Sequence, residues 1–197
     1  MFEKIHFREV SIEDRCLWNS YLSLSGIRFC DFSFLNICAW KFYYQTELAE
    51  WKGYLLIRHY FDDNFHYFFP IGDGNIAEVL NDLKTFAFEN HHSFLMDCLT
   101  INQLEEIKTI SIHPFSFSLD RNFSDYLYLR EDWIALKGKR LQSKRNHLKR
   151  FLQNYEYEYK PYTDAYLNDC ISLTKQWMKE NPDLNWDSMN NELQVIQ

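Results

Sequence analysis

Between Thr46 and Ile71 the chain reads TELAEWKGYLLIRHYFDDNFHYFFPI, and this stretch decides the fold. Its apolar residues recur with a period of two in TELAEW, in YLLIRHYF and in FHYFFPI. Alternation of that kind places successive side chains on opposite faces of a sheet. Lys52-Gly53 and Asp62-Asp63-Asn64 separate the three runs and carry turn chemistry. The spacing therefore predicts an antiparallel meander.

Helical patterns surround the meander. Ser11, with Asp14 three residues later, reads as the cap of a helix over Ile12 to Leu24, and HFREV just before it reads as a short opening strand. DFSFLNICAWKFYY carries Ser33 as a cap and a stripe of Phe34, Ile37, Trp40 and Tyr44, which predicts a second helix packed into the core. Gly72-Asp73-Gly74 reads as a turn into a helix over Ile76 to Glu89, followed by a short strand in FLMDCL and a helix in INQLEEIKTI. Further on, DYLYL reads as a strand. NYEYEYKPY places Tyr155, Tyr157 and Tyr159 on one face and Glu156, Glu158 and Lys160 on the other, as in a half-exposed strand. Asp164 to Asn181 is predicted to be a helix that Pro182 stops, and DLNWDSMNNELQVIQ another.

The overall expectation is a mixed α/β (α+β) protein whose mainly antiparallel sheet is flanked by helices. Its 197 residues, 46% hydrophobic and 18% aromatic, are enough for a substantial core. No apolar run approaches the ~20 residues needed to cross a bilayer, and MFEKIHFREV is no signal segment, so a soluble, cytoplasmic protein is expected. Cys16, Cys30, Cys38, Cys98 and Cys170 are odd in number and scattered, which argues for reduced, mostly buried thiols. His91-His92 with Asp97 is the nearest thing to a metal-ligand cluster, but its spacing does not support tetrahedral coordination. No metal and no cofactor are expected.

Charge is distributed unevenly. The chain carries −7 overall, yet KGKRLQSKRNHLKR, from Lys137 to Arg150, holds seven of the 21 Lys and Arg residues and no Asp or Glu. The rest of the chain therefore carries −14. Leu141, Leu148, Phe151 and Leu152 fall on one side at helical spacing, with Lys144 in the middle of that side. Two readings of Lys144 stand. Its methylenes lie along apolar surface with only the ammonium wet, or Lys144 and Arg145 line a cleft where phosphate or carboxylate docks. Lys137, Lys139, Arg140 and Asn146 complete the candidate anion-binding set, and a third possibility is that the helix only joins two domains, its charges balanced by the chain's own acidic residues.

The order of elements, with Asp125, Tyr126, Tyr128 and Leu129, then Leu136-Lys137-Gly138-Lys139, Lys144-Arg145-Asn146 and Phe151, resembles the DUF2156 group, relatives of the C-terminal domain of bacterial phosphatidylglycerol lysyltransferase. Asp31, Ser33 and Phe34 ahead of Trp40, and the phrase FFPIGDG, support the likeness. It implies a tandem GNAT-like fold of two similar units, and the pattern of elements, which leaves a helix pair with nothing to cover it at the end, reads as a first unit over 1–155 and the truncated beginning of a second over 156–197. It also implies an acyltransferase that moves an aminoacyl group from charged tRNA to a lipid or other amine or hydroxyl acceptor, with the catalytic half expected to be missing here. Aminoacyl-tRNA and an anionic phospholipid headgroup are the partners it implies, and a non-catalytic anion-binding module is the alternative. The Arg/Gln-x-x-Gly-x-Gly loop of acetyl-CoA users is absent from the sequence.

Overall fold

The computed structural model describes residues 4–27, 29–110, 115–121, 124–181 and 186–196. Strands β2 (Glu47–Trp51), β3 (Tyr54–Phe61) and β4 (Asn64–Tyr67) form the meander. Both hairpins turn on two residues with positive φ, Lys52 and Gly53 at 48° and 83°, and Asp62 and Asp63 at 49° and 58°. Such a turn matches the right-handed twist of the strands and fixes the register. Trp51 consequently pairs with Tyr54, and Phe61 with Asn64.

Three short strands complete the sheet. β1 (Arg8–Glu9) pairs with β2, β5 (Ile71–Gly72) with the start of β3, and β6 (Leu95–Met96) with β4. The order is β1-β2-β3-β4-β6, with β5 beside β3, and only the β4–β6 pair is parallel. At the β5 junction the backbones close in: a Cβ on Gly72 would stand 2.2 Å from the Gly53 carbonyl oxygen. Gly72-Asp73-Gly74 is thus a packed crossing of two segments of the backbone.

Alternation along β3 sends Leu55 and Ile57 to one face and Tyr54 and Leu56 to the other. On the first face α1 (Arg15–Ser25) and α2 (Phe34–Tyr44) cover the sheet through Trp18, Phe34 and Ile37. On the second, α3 (Ile76–Glu89) packs through Val79, Leu83 and Ala87. α4 (Ile101–Ile110) adds Ile107 to a small cluster with Phe69 and Leu80. This three-layer arrangement is the mixed, mainly antiparallel sheet with flanking helices that the sequence predicts.

The caps follow the chemistry of their residues. Ser33 accepts a hydrogen bond from the Asn36 amide at 3.2 Å, and Asn75 from that of Glu78 at 3.3 Å. The helix predicted from Ile12 begins as a 3-10 turn over Ile12–Asp14 before α1. There the buried Asp14 accepts from the Ser11 amide at 2.8 Å and receives both arms of Arg8 at 2.8 and 2.5 Å.

That fork holds the Asp14 carboxyl well below its ordinary 3.8, at about 2, against the opposing effect of burial. Because the folded value lies below the unfolded one, the contribution is full above pH 3.8 and lost as the pH falls through about 2. Allowing for solvent around the half-exposed Arg8, Asp14→Asn is expected to cost about 1–2 kcal/mol near neutrality. Denaturant unfolding of both proteins should show that difference shrinking as the pH falls below 3.8 and vanishing below about 2.

The chain divides into two compact units, 1–123 and 124–197. The 155/156 boundary expected from the pattern of elements falls within 124–197. That unit contains α5 (Arg130–Ala135), α6 (Gln142–Asn154), α7 (Leu167–Glu180) and α8 (Trp186–Ile196), with α7 against α8. Among the described residues it contains no strand. The strands expected in DYLYL and NYEYEYKPY do not form: apart from Asn154, which ends α6, both segments lack regular secondary structure, and Tyr126, Leu127, Tyr155, Tyr157 and Tyr159 are all exposed. Alternation marks a segment able to pair, but pairing needs a neighbouring strand, and none is present among the described residues. Pro182 lies outside the described residues.

The cysteines also differ from expectation. None is buried: Cys16 and Cys30 are exposed, while Cys38, Cys98 and Cys170 are partly covered. Cys38 and Cys98 sit at the margin of the α1–α2 cluster, where the packed interior gives way to solvent.

Candidate functional site

The basic block folds as a turn and a helix. Leu136 and Gly138 take positive φ, 47° and 84°, which swings the chain into a 3-10 turn over Lys139–Leu141 and then α6. Arg145 reaches back from α6 and donates from Nη1 to the carbonyl oxygens of Leu136 and Gly138, the latter at 2.8 Å. Its guanidinium thereby ties the Lys137-bearing turn to the helix. Of the six site residues read from the sequence, Arg145 is the one with this structural engagement and is partly covered.

Lys137, Lys139, Arg140, Lys144 and Asn146 are exposed, as are Lys149 and Arg150. Leu141 is buried, but Leu148, Phe151 and Leu152 are 42–50% exposed. Lys144 is therefore not sunk into an apolar surface. The helical spacing of that side is real, but beyond the burial of Leu141 and the rings of Tyr155 and Tyr157 against Phe151 it stays largely open, and Lys144 itself is exposed. Nor is the block neutralised internally: among the described residues no ion pair joins any of its seven cations to a carboxylate. The result is a concentrated positive field on an accessible helix, suited to a multiply charged anion.

His91, His92 and Asp97, adjacent in sequence, part company in the fold. His91 occupies a turn at φ 59°, and His92 Nε2 meets the Tyr67 hydroxyl at 2.7 Å. Asp97 instead meets two histidines that sequence reasoning did not single out. Its Oδ2 lies 3.1 Å from His59 Nε2 and 3.3 Å from His66 Nδ1. Hairpin register brings the histidines together, since His59 and His66 are direct cross-strand partners with rings stacked at 5.5 Å. A signal was present: with a two-residue turn at Asp62-Asp63, counting outward pairs 61 with 64 and 59 with 66. Asp97 comes from the chain after β6, its amide donating to the Tyr67 carbonyl at 3.2 Å. Burial, and then the charges of Tyr43, Asp31, Cys98 and Asp97, push up the neighbouring Tyr44 hydroxyl.

A family model described as phosphatidylglycerol lysyltransferase, C-terminal, matches residues 24–195. The chain belongs to that family. As a member of the phosphatidylglycerol lysyltransferase C-terminal family it is also similar to a solved structure, a conserved protein of unknown function from Bacteroides thetaiotaomicron VPI-5482. The two share 34% identity with a TM-score of 0.90 over 98% of this chain. This chain spans 65% of the length of that one. No curated protein matches. Among the described residues no helix is long and apolar enough to cross a membrane.

Proposed function

We propose that this lysyltransferase-family chain holds the polyanionic donor of an aminoacyl transfer, an aminoacyl-tRNA, on the surface running from Lys137 to Arg150. One observation carries the reading: seven cations share that short stretch, and none has a carboxylate partner among the described residues. Cations that are not already paired release phosphate counterions at full effect when nucleic acid docks. The reaction itself asks little of the protein. The aminoacyl ester is already activated, so the site must bring an amine or hydroxyl to it and stabilise the oxyanion that develops. Lys144, exposed in mid-surface, supplies positive field for that oxyanion, while Arg145 holds the turn that presents Lys137. The setting for such chemistry is the cytoplasm, where charged tRNA is found.

A second reading rests on a separate observation. Leu148, Phe151 and Leu152 stand exposed beside the same cations, the pattern of a helix lying on an anionic membrane. One experiment addresses both. The chain is mixed with tRNA carrying a radiolabelled amino acid and with phosphatidylglycerol vesicles, and label is followed on protein-bound tRNA and in lipid. The donor reading expects tRNA capture that Lys144→Glu with Lys149→Glu weakens by more than about tenfold, with label in lipid falling in step. Capture unchanged by the double substitution overturns it. Vesicle binding without tRNA capture favours the second reading. Arg145 is left intact because its loss would release the turn.

A further inference from the structure

We propose that His59, His66 and Asp97 form a binding site for one divalent transition-metal ion, with Zn2+ the best match to the donor set. One donor atom from each residue lies within 4.8 Å of the other two. The separations at Asp97 Oδ2, 3.1 Å to His59 Nε2 and 3.3 Å to His66 Nδ1, are those of coordination edges. An ion about 2.0–2.1 Å from nitrogen and oxygen donors in tetrahedral geometry sets neighbouring donors roughly 3.3–3.4 Å apart. The remaining edge, between the two imidazole nitrogens, lies within 4.8 Å and would shorten on binding.

Hydrogen bonding alone leaves this cluster incompletely satisfied. Two imidazoles donating to one carboxylate oxygen would engage only Oδ2, and Asp97 Oδ1 is buried with no partner. His59 Nδ1 is also buried and unpartnered, but it is the ring nitrogen turned from Asp97, so the case for an ion rests on Oδ1. Buried polar atoms without partners are uncommon in folded proteins and each calls for a cause. A cation bound by the carboxylate gives Oδ1 the positive neighbour it lacks. The surroundings add to the case: the rings of Tyr44, Phe68 and Phe61 stand against the two imidazoles, lowering the local dielectric and strengthening any charge-to-donor attraction.

The backbone organises the site in advance. The two-residue turn at Asp62-Asp63 sets His59 opposite His66, and the amide of Asp97 is anchored to Tyr67. Little order has to be created on binding, which is what keeps affinity high. Two neutral imidazoles and one carboxylate select Zn2+ and its transition-metal neighbours over Mg2+ or Ca2+, which prefer oxygen donors throughout. Three protein ligands leave a coordination position open. The ion would join β3, β4 and the chain leaving β6 at a single point.

The test uses the full chain stripped with chelator and titrated with Zn2+. The expected result is uptake of one ion per chain and a thermal midpoint raised by about 5–10 °C at a hundredfold excess over the dissociation constant. Co2+ in its place should show the intense visible bands of a tetrahedral site. Asp97→Asn and His66→Gln, each with unchanged far-ultraviolet circular dichroism, should weaken uptake by more than about a hundredfold and abolish the midpoint shift. His66 and Asp97 are used because His59 is buried and its loss risks the fold. His91→Asn, at an exposed turn outside the cluster, should bind as the parent does. Failure of the folded parent to take up stoichiometric Zn2+ overturns the proposal, as does uptake that survives both Asp97→Asn and His66→Gln.

Discussion

Replacing Trp18 with alanine is expected to lower the free energy of unfolding by roughly 3–5 kcal/mol, the range for emptying a fully packed aromatic site. Trp18 is wholly buried in the layer between α1 and the sheet, among Val10, Phe32, Phe34 and Leu55. Its ring meets that of Phe34 at 6.1 Å, and its indole N–H donates to the Phe32 carbonyl at 3.0 Å. Alanine would remove the ring and leave that carbonyl buried without a donor. Trp18→Phe separates the two effects. It retains most of the packing and strands only the carbonyl, for an expected cost of about 1–3 kcal/mol. Urea unfolding of the three proteins measures both numbers. An alanine variant within 1 kcal/mol of the parent would show that α1 is not held through this residue.

Raising salt from about 50 to 200 mM is expected to weaken tRNA binding by roughly a hundred- to several-hundred-fold, if about five of the exposed cations meet phosphates. The slope of log affinity against log salt counts the phosphates neutralised, at about 0.7–0.9 per contact. Lys144→Gln with Lys149→Gln should therefore shallow the slope by about 1.4–1.8, with little change in helix content, because both side chains are exposed. Fluorescence anisotropy of labelled tRNA against a salt series reads the slope for each protein. An affinity that is flat across this range in the parent would remove the basic helix from any role in holding a polyanion.

Much of the first unit was legible because its signals are local. Lys52-Gly53 and Asp62-Asp63 announce two-residue turns, Ser33 and Asn36 are one helical turn apart, and α3 occupies the predicted Ile76–Glu89. What escaped was carried by contacts distant in sequence. Asp97 reaches His59 and His66 only because β6 pairs in parallel with β4 after a helical crossover, which no periodicity encodes. Tyr155, Tyr157 and Tyr159 illustrate the opposite failure. Their alternation is that of a strand, but strand formation depends on a partner, and the residues stand exposed. Lys144 fell to the same assumption, that an apolar stripe implies a covering layer. Arg145, read as an anion ligand, spends part of its donor capacity on two carbonyls, a use that no residue-type pattern distinguishes.

The two rims of the sheet, β1 and β6, are each only two residues long, and β1 presents the exposed, oppositely charged pair Arg8 and Glu9. A rim that short offers very few open amides and carbonyls to a foreign strand, and charged side chains there penalise stacking further. The aromatic-rich meander, a sequence well suited to self-association, is thereby flanked by poor templates where β1 covers Glu47 and Leu48 and β6 covers His66 and Tyr67.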